Sequence, residues 1–168
     1  GVLILDADAL NRIANSEEGW KWLKKRKGFT LITPHVKEFH RLFPEIDLLN
    51  PLNSAREAAK ISGVGVLLKG AHSIFAAPSG DLWQLGESAP WVARTGLGDV
   101  LAGYLGGMAA SAMSSSKKLD WDLFAASMLV HSLAAKNCKN GSSASNIATQ
   151  LAKYVKDISF YKCFGKHI

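Results

Sequence analysis

Two rhythms of apolar and polar positions alternate along the first half of the chain. GVLIL, FTLIT and VGVLL are short, predominantly apolar runs. Having no polar face, they predict strands buried on both sides of a parallel sheet. Each gives way to polar residues, at Asp6, at Thr33 and at Lys69. The segments between them follow helical spacing. NSEEGWKWLKKRKG predicts a helix, with Asn15 and Glu18 at capping-box distance and Gly28 just past its end. HVKEFHRLF, begun after Pro34, places Val36, Phe39 and Phe43 on one helical face. NSAREAAKISG predicts a further helix, capped by Asn53 or Ser54 and closed by Gly63. HSIFAAPSGDLWQLG reads as a hairpin turning at PSGD.

After Gly98 the pattern is helical almost to the end. Helices are predicted over Val100 to about Ser114, Asp120 to about Lys136 and Ser145 to about Ile158, with SSSKK and NGSS as loops. Strands alternating with helices predict an α/β fold around a mostly parallel sheet. No internal repeat or linker divides the sequence, so residues 1–168 read as one domain. Ligands of open α/β sheets bind beyond the carboxyl ends of the strands. Asp6, Thr33, Lys69 and the RTGLGD turn are expected on that rim.

Composition narrows the classes. A chain of 168 residues with 48% hydrophobic content is globular rather than disordered. Its net charge of +6 is concentrated in KWLKKRK, Lys21 to Lys27. That run reads as a solvated helix end, because cations favour helix C-termini. It lacks the further basic clusters that a nucleic-acid surface needs. Cys138 and Cys163 have neither metal-ligand nor disulfide spacing, which suits a reducing, cytoplasmic setting. The most apolar stretch, Val100 to Met113, is too short and glycine-rich to span a bilayer. No nucleic-acid or membrane partner is expected.

The candidate chemistry sits in RTGLGDVLAG. It is not a Walker loop, which needs Lys-Ser or Lys-Thr after its last glycine, nor a dinucleotide fingerprint, since Gly96 and Gly98 are followed only by Gly103. Taken as a helix start, Gly96-Leu97-Gly98-Asp99 offers amides without intrahelical partners, and the helix dipole adds to their pull on a phosphate. Asp99, expected to be buried, would not bind phosphate, but it could take the proton of an attacking hydroxyl. Alternatively it caps the helix. The small residues of AGYLGGMAASA are expected to let this helix pack close to the sheet.

LDADAL, LITPHVKEFHRL, VLLKGAHSIFAAPSGDLW and TGLGDVLAGYLGGM occur in that order. Together they resemble the ribokinase-like superfamily, and within it the NAD(P)H-hydrate dehydratases, over Val2 to about Ser132. The resemblance implies a three-layer α/β/α sandwich, here the C-terminal nucleotide-binding and catalytic portion lacking its N-terminal half. It implies transfer of the terminal phosphate of ADP or ATP, with Mg2+, to the hydroxyl of hydrated NADH or NADPH. Phosphate loss then restores the reduced nicotinamide. ADP is mildly favoured as donor, and a homo-oligomer is expected.

By motif, Asp99 corresponds to the base, and Thr95, Gly96, Leu97 and Gly98 to the nucleotide-binding turn. Lys69, Gly70 and Ala71 correspond to a segment lining the nucleotide. Asp6, His35 and Glu38 lie near the reacting groups, with Glu38 reaching magnesium only through water and no direct protein ligand to the metal. Thr95 stands where the family has a further glycine and Leu97 where it has Ser or Thr; backbone amides survive both changes. Arg94 could reach phosphate.

Bland readings stand beside these. His35 could be only a helix cap, Glu38 an exposed helix residue and Lys69 a surface cation. Asp6 or Asp8, more readily Asp8, could cap the following helix. His72, His131 and the tryptophans read as packing or surface residues. Two other functions share the motif set: a ribokinase-like kinase of a vitamin precursor, which would release a stable phosphorylated product, and a nucleotide-binding module without activity.

Overall fold

The protein is described here by a computed structural model covering residues 1–86, 95–115, 119–139 and 141–155. It divides into two compact units, Gly1–Ser88 and Ala89–Ile168.

In the first unit the three apolar runs form β1 (Leu3–Leu5), β2 (Thr30–Ile32) and β3 (Gly65–Leu68), parallel neighbours in that order. The hairpin forms where PSGD predicts it. Its strand β4 (Ile74–Ala76) runs antiparallel to β3, and β5 (Leu82–Gln84) antiparallel to β4. The sheet is therefore mixed, in the order β1-β2-β3-β4-β5. Strand alternation gives it two apolar faces. Ile32, Val66, Leu68, Ile74 and Ala76 share one core with Leu10, Phe39, Leu42, Phe43, Ala55, Ala58 and Ala59. That face carries α1 (Ala7–Ala14), α2 (Val36–Leu42) and α3 (Pro51–Ser62). Leu31, Leu67 and Phe75, at the alternate positions, are buried as well.

Residues 15–28 depart from the expected helix. The α-helix lies earlier, at α1, and Asn15 closes it instead of opening the next. Ser16 Oγ donates to the Ile13 carbonyl and accepts from the Gly19 amide, and Gly19 has φ +53°. That left-handed reversal cannot be passed by a continuous α-helix. Only a 3-10 helix, Gly19–Lys25, follows, anchored by buried Leu23. Its lysines are solvent-facing as expected, with Lys25 Nζ 2.5 Å from Glu18 Oε1. α3 also starts sooner than expected: Pro51 is its first residue and Asn50 caps it by accepting from the Asn53 amide at 3.2 Å. Gly63, at φ +73°, closes α3 as predicted.

The second unit holds α4 (Leu97–Ser114), α5 (Trp121–Lys136) and α6 (Ala144–Val155). Asp120 caps α5 by accepting from the Leu123 amide at 3.0 Å. Leu97 and Val100 pack on a small core of Ala135, Cys138 and Ile147. Gly103 and Gly107 of α4 have nothing within 4 Å of where a Cβ would stand. Among the described residues no helix is long and apolar enough to cross a membrane.

Candidate functional site

Parallel strands end on the same side, and in the first unit this gathers polar residues from distant parts of the chain. The backbone fixes the rim. Thr33 donates its amide to the Leu5 carbonyl at 3.0 Å, and Lys69 donates its amide to the Pro34 carbonyl at 2.8 Å. Side chains then meet above it. Lys69 Nζ lies 2.5 Å from Asp6 Oδ1 and 4.0 Å from Glu38 Oε2. With side chains 21%, 12% and 6% exposed, respectively, the three form a largely enclosed charged cluster. Lys69 is thus not a free surface cation, and Glu38 is not an exposed helix residue.

His35 and Glu38 form a reciprocal capping box at the start of α2. His35 Nδ1 accepts from the amides of Lys37 and Glu38 at 3.1 and 3.2 Å, while Glu38 Oε2 accepts from the His35 amide at 2.8 Å. An accepting Nδ1 carries no proton, so the neutral ring holds its proton on Nε2, 3.4 Å from Glu38 Oε1. The cap therefore aims the carboxylate as well as closing the helix end.

Asp6 occupies the N-cap position of α1 without capping it; its carboxylate is turned to Lys69. Asp8 is an exposed first-turn residue rather than the expected cap. Between them Ala7 is left-handed at φ +46°, a conformation costly for any residue with a Cβ. Gly70 and Ala71 are exposed in the turn leading to β4. Ser73 Oγ braces that turn, donating to the Gly70 carbonyl at 3.1 Å.

The glycine-rich turn of the second unit opens a helix, as its sequence predicts. Gly96 is the N-cap at φ +84°, with no side chain capping the helix. Leu97, Gly98 and Asp99 are its first three residues. The first intrahelical bond runs from the Val100 amide to the Gly96 carbonyl at 3.1 Å. The amides ahead of it have no partner within the helix and carry the positive end of the dipole. Asp99 is exposed, not buried, and is the third helical residue, not the cap. Thr95 is exposed beside it. A Cβ on Gly96 would stand 3.2 Å from the Ala144 Cβ, so a side chain there would press on Ala144 as well as strain φ. Arg94 and Cys163 lie outside the described residues.

His131, read from the sequence as a packing or surface residue, is buried. It is 7% exposed on α5, where burial lowers its pKa to about 4 against the opposing pull of a backbone hydrogen bond at Leu97. A lone histidine in an apolar helix gives no sequence signal of that contact. His72, in contrast, is a surface residue whose Nδ1 lies 3.1 Å from the Leu85 carbonyl.

The arrangement offers an amide cradle with an adjacent exposed carboxylate, and separately a carboxylate pair organised by one lysine. Among the described residues no group of three or more His, Cys, Asp or Glu is placed to hold a metal ion.

Comparison with known proteins adds to this geometry. The sequence pattern of the NAD(P)H-hydrate dehydratases matches residues 1–157. The chain is similar to the bifunctional NAD(P)H-hydrate repair enzyme of Gloeobacter violaceus, at 47% identity over 66% of this chain and 21% of that protein. It is similar to the Synechocystis repair enzyme at 45% over 64% and 20%. The match thus spans about a fifth of these curated relatives. In structure it is similar to a ribokinase-like superfamily protein of Enterococcus faecalis (TM-score 0.74, 23% identity, 91% of this chain and 51% of that one). It is also similar to an ADP/ATP-dependent NAD(P)H-hydrate dehydratase of Bacillus subtilis co-crystallised with ATP and Mg2+ (TM-score 0.73, 23% identity, 92% and 54%). The shared fold is ribokinase-like α/β.

Proposed function

Because the chain belongs to the NAD(P)H-hydrate dehydratase family, we propose that it performs the phosphoryl-transfer part of nicotinamide nucleotide repair, the ADP- or ATP-dependent dehydration of hydrated NADH or NADPH. The observation that carries this reading is the start of α4: amides at Leu97 and Gly98 with no partner within the helix behind a left-handed Gly96, with Asp99 exposed beside them. The amides receive the terminal phosphate of the nucleotide. Asp99 takes the proton of the ring hydroxyl as its oxygen bonds to phosphorus and the bond to the departing nucleotide breaks. Phosphate then leaves from the ring carbon, the neighbouring carbon gives up a proton, and the reduced ring is restored.

By motif, Asp6 and Glu38, the two carboxylates around Lys69, are assigned to the substrate side of this chemistry, and Lys69 with the exposed Gly70-Ala71 turn to nucleotide binding. Mg2+ bound with the phosphates neutralises their charge, and it keeps several waters when so held. Glu38 is assigned a contact through water rather than direct ligation, by motif. The family match runs through both compact units, which supports reading residues 1–168 as one domain. A cytoplasmic location accords with Cys138 as a buried free thiol. Self-association is expected through the outer strands β1 and β5, each with one neighbour among the described residues.

The test follows reduced-nicotinamide absorbance from hydrated NADH and NADPH with Mg2+ and either ADP or ATP. It uses this chain alone and any longer natural polypeptide that carries it. Asp99→Asn is expected to lower turnover by roughly a thousandfold or more while nucleotide affinity stays close to wild type. Equal losses of binding and rate would make Asp99 structural. A stable phosphorylated product, without restored absorbance, would identify a small-molecule kinase instead.

A further inference from the structure

Asp6 gives up what its position offers. It stands at the N-cap of α1 with extended backbone, φ −139° and ψ 167°, from which an aspartate ordinarily accepts a helix amide. Its side chain makes no such bond. Ala7, directly after it, is the only non-glycine residue at positive φ among those described. The carboxylate instead accepts a hydrogen bond from Lys69 Nζ at 2.5 Å, across 63 residues of sequence. A cap and a relaxed residue 7 would each stabilise α1. The ion pair does not replace that stability, because desolvating two charges offsets most of their attraction. A local sacrifice that brings no stability in return is the mark of a functional contact.

The contact acts on the tip of a flexible chain. Lysine carries its ammonium on four carbons with wide rotamer freedom. The root of Lys69 is fixed to the sheet by its amide, which donates to the Pro34 carbonyl at 2.8 Å. Asp6 fixes the other end. An ammonium has three donors. Asp6 takes one, and Glu38 Oε2, at 4.0 Å, lies beyond hydrogen-bond reach. The Lys69 side chain keeps 21% of its surface exposed, so the ammonium is pinned yet open at the rim. A donor ordered in advance binds an anion without the cost of ordering it later.

We propose that Asp6 is a positioning residue, which holds the Lys69 ammonium in place for a phosphate of the nucleotide and does not itself touch a substrate. The inference rests on the reading, by motif, of Lys69 as part of the nucleotide-binding segment. It adds to that reading the residue through which Lys69 is presented, and gives a reason for the uncapped start of α1.

The experiment is calorimetric titration with ADP, ATP and phosphate-free adenosine. It compares wild type, Asp6→Ala, Asp6→Asn, Lys69→Met and the Asp6→Ala, Lys69→Met double variant, in this chain and in any longer natural polypeptide that carries it. Charge alone predicts that deleting a carboxylate beside the ammonium tightens nucleotide binding. Positioning predicts the opposite. Asp6→Ala is expected to weaken ADP and ATP by roughly tenfold with adenosine unaffected. Asp6→Asn keeps an oxygen acceptor and is expected to stay within about threefold of wild type. In the Lys69→Met background Asp6→Ala is expected to add nothing. Tighter or unchanged binding by Asp6→Ala, equal losses in the Ala and Asn variants, a loss that includes adenosine, or the same loss without Lys69 would each overturn the proposal. Nitrogen NMR of wild type needs no variant: the Lys69 ammonium is expected to exchange its protons with water more slowly than those of the exposed Lys21 and Lys27. Exchange at their rate would overturn it too. A wild-type chain that binds ADP without dehydrating hydrated NADH would fail the functional reading and leave this one standing. Nucleotide affinity indifferent to Lys69→Met would remove this one alone, and a chain that binds neither nucleotide would remove both.

Discussion

At the rim of the sheet, Asp6, Glu38 and Lys69 are held by one another, the Asp6–Lys69 pair across 63 residues of sequence. At the start of α4 the polar groups on offer are main-chain amides, and the turn is held by apolar packing of Leu97 and Val100. The first arrangement depends on charge balance among side chains. The second depends on backbone conformation and apolar packing. The two should therefore respond to different perturbations, and four experiments sharpen or break that contrast.

The largest effect on stability is expected from acid at the turn. Folding keeps His131 neutral down to about pH 4, whereas the unfolded chain takes up that proton near the ordinary value of 6.5. Between those values the unfolded state binds more protons, so stability falls as pH falls through the window and is complete above it. The contribution at neutral pH is up to about 3 kcal/mol. Urea midpoints from pH 7 to pH 4 should drop more steeply in wild type than in His131→Asn. Parallel slopes would show that the second unit does not depend on a neutral imidazole.

At the rim the corresponding change is loss of one charge. Lys69→Met leaves the Asp6 and Glu38 carboxylates enclosed without their cation and should cost about 2 kcal/mol. Adding Asp6→Asn should recover part of that loss, and the double-mutant cycle measures the coupling directly. Additive costs would mean that the cluster is a chance of proximity and that the rim resembles the turn after all.

Glycines provide a smaller contrast. Gly96→Ala meets both a left-handed φ and the Ala144 Cβ at 3.2 Å, so a loss of about 1–2 kcal/mol is expected, together with weaker nucleotide binding. Gly70→Ala meets nothing within 4 Å and has no positive φ, so stability should change by less than about 0.5 kcal/mol. Thermal unfolding of the two variants side by side decides this.

The sequence disclosed these regions unequally, for physical reasons. Predominantly apolar runs report two-sided burial, so β1, β2 and β3 were legible, and with them the strand ends where Asp6 and Lys69 stand. The PSGD hairpin and the Gly63 stop follow from local turn chemistry and were equally plain. The segment 15–28 misled because capping-box spacing at Asn15 and Glu18 competes with a better helix just upstream, and Gly19's left-handed turn has no signature in hydropathy. Burial of Asp99 was expected from its apolar neighbours, but a first-turn position on α4 turns it outward. The Asp6–Lys69 pair was hidden by distance along the chain. Periodicity records which way a residue faces within its own element and says nothing about which distant group it will meet.

The smallest expected effect lies at Ala7. Its φ of +46° places a Cβ where glycine is preferred, directly after the aspartate that Lys69 holds. Ala7→Gly removes about 1 kcal/mol of strain or slightly more, while the freer unfolded chain takes back roughly half of a similar sum. A net gain of a few tenths of a kcal/mol to about 1 kcal/mol should result. The strain persists only if its surroundings over-determine it, and the Asp6–Lys69 bond is the constraint nearest to hand. In a Lys69→Met background Asp6 is released, Ala7 can relax, and the gain from glycine should shrink toward zero. An undiminished gain in that background would mean that α1 packing alone imposes the left-handed turn, and that the charged cluster sits on a rim whose backbone is shaped without it.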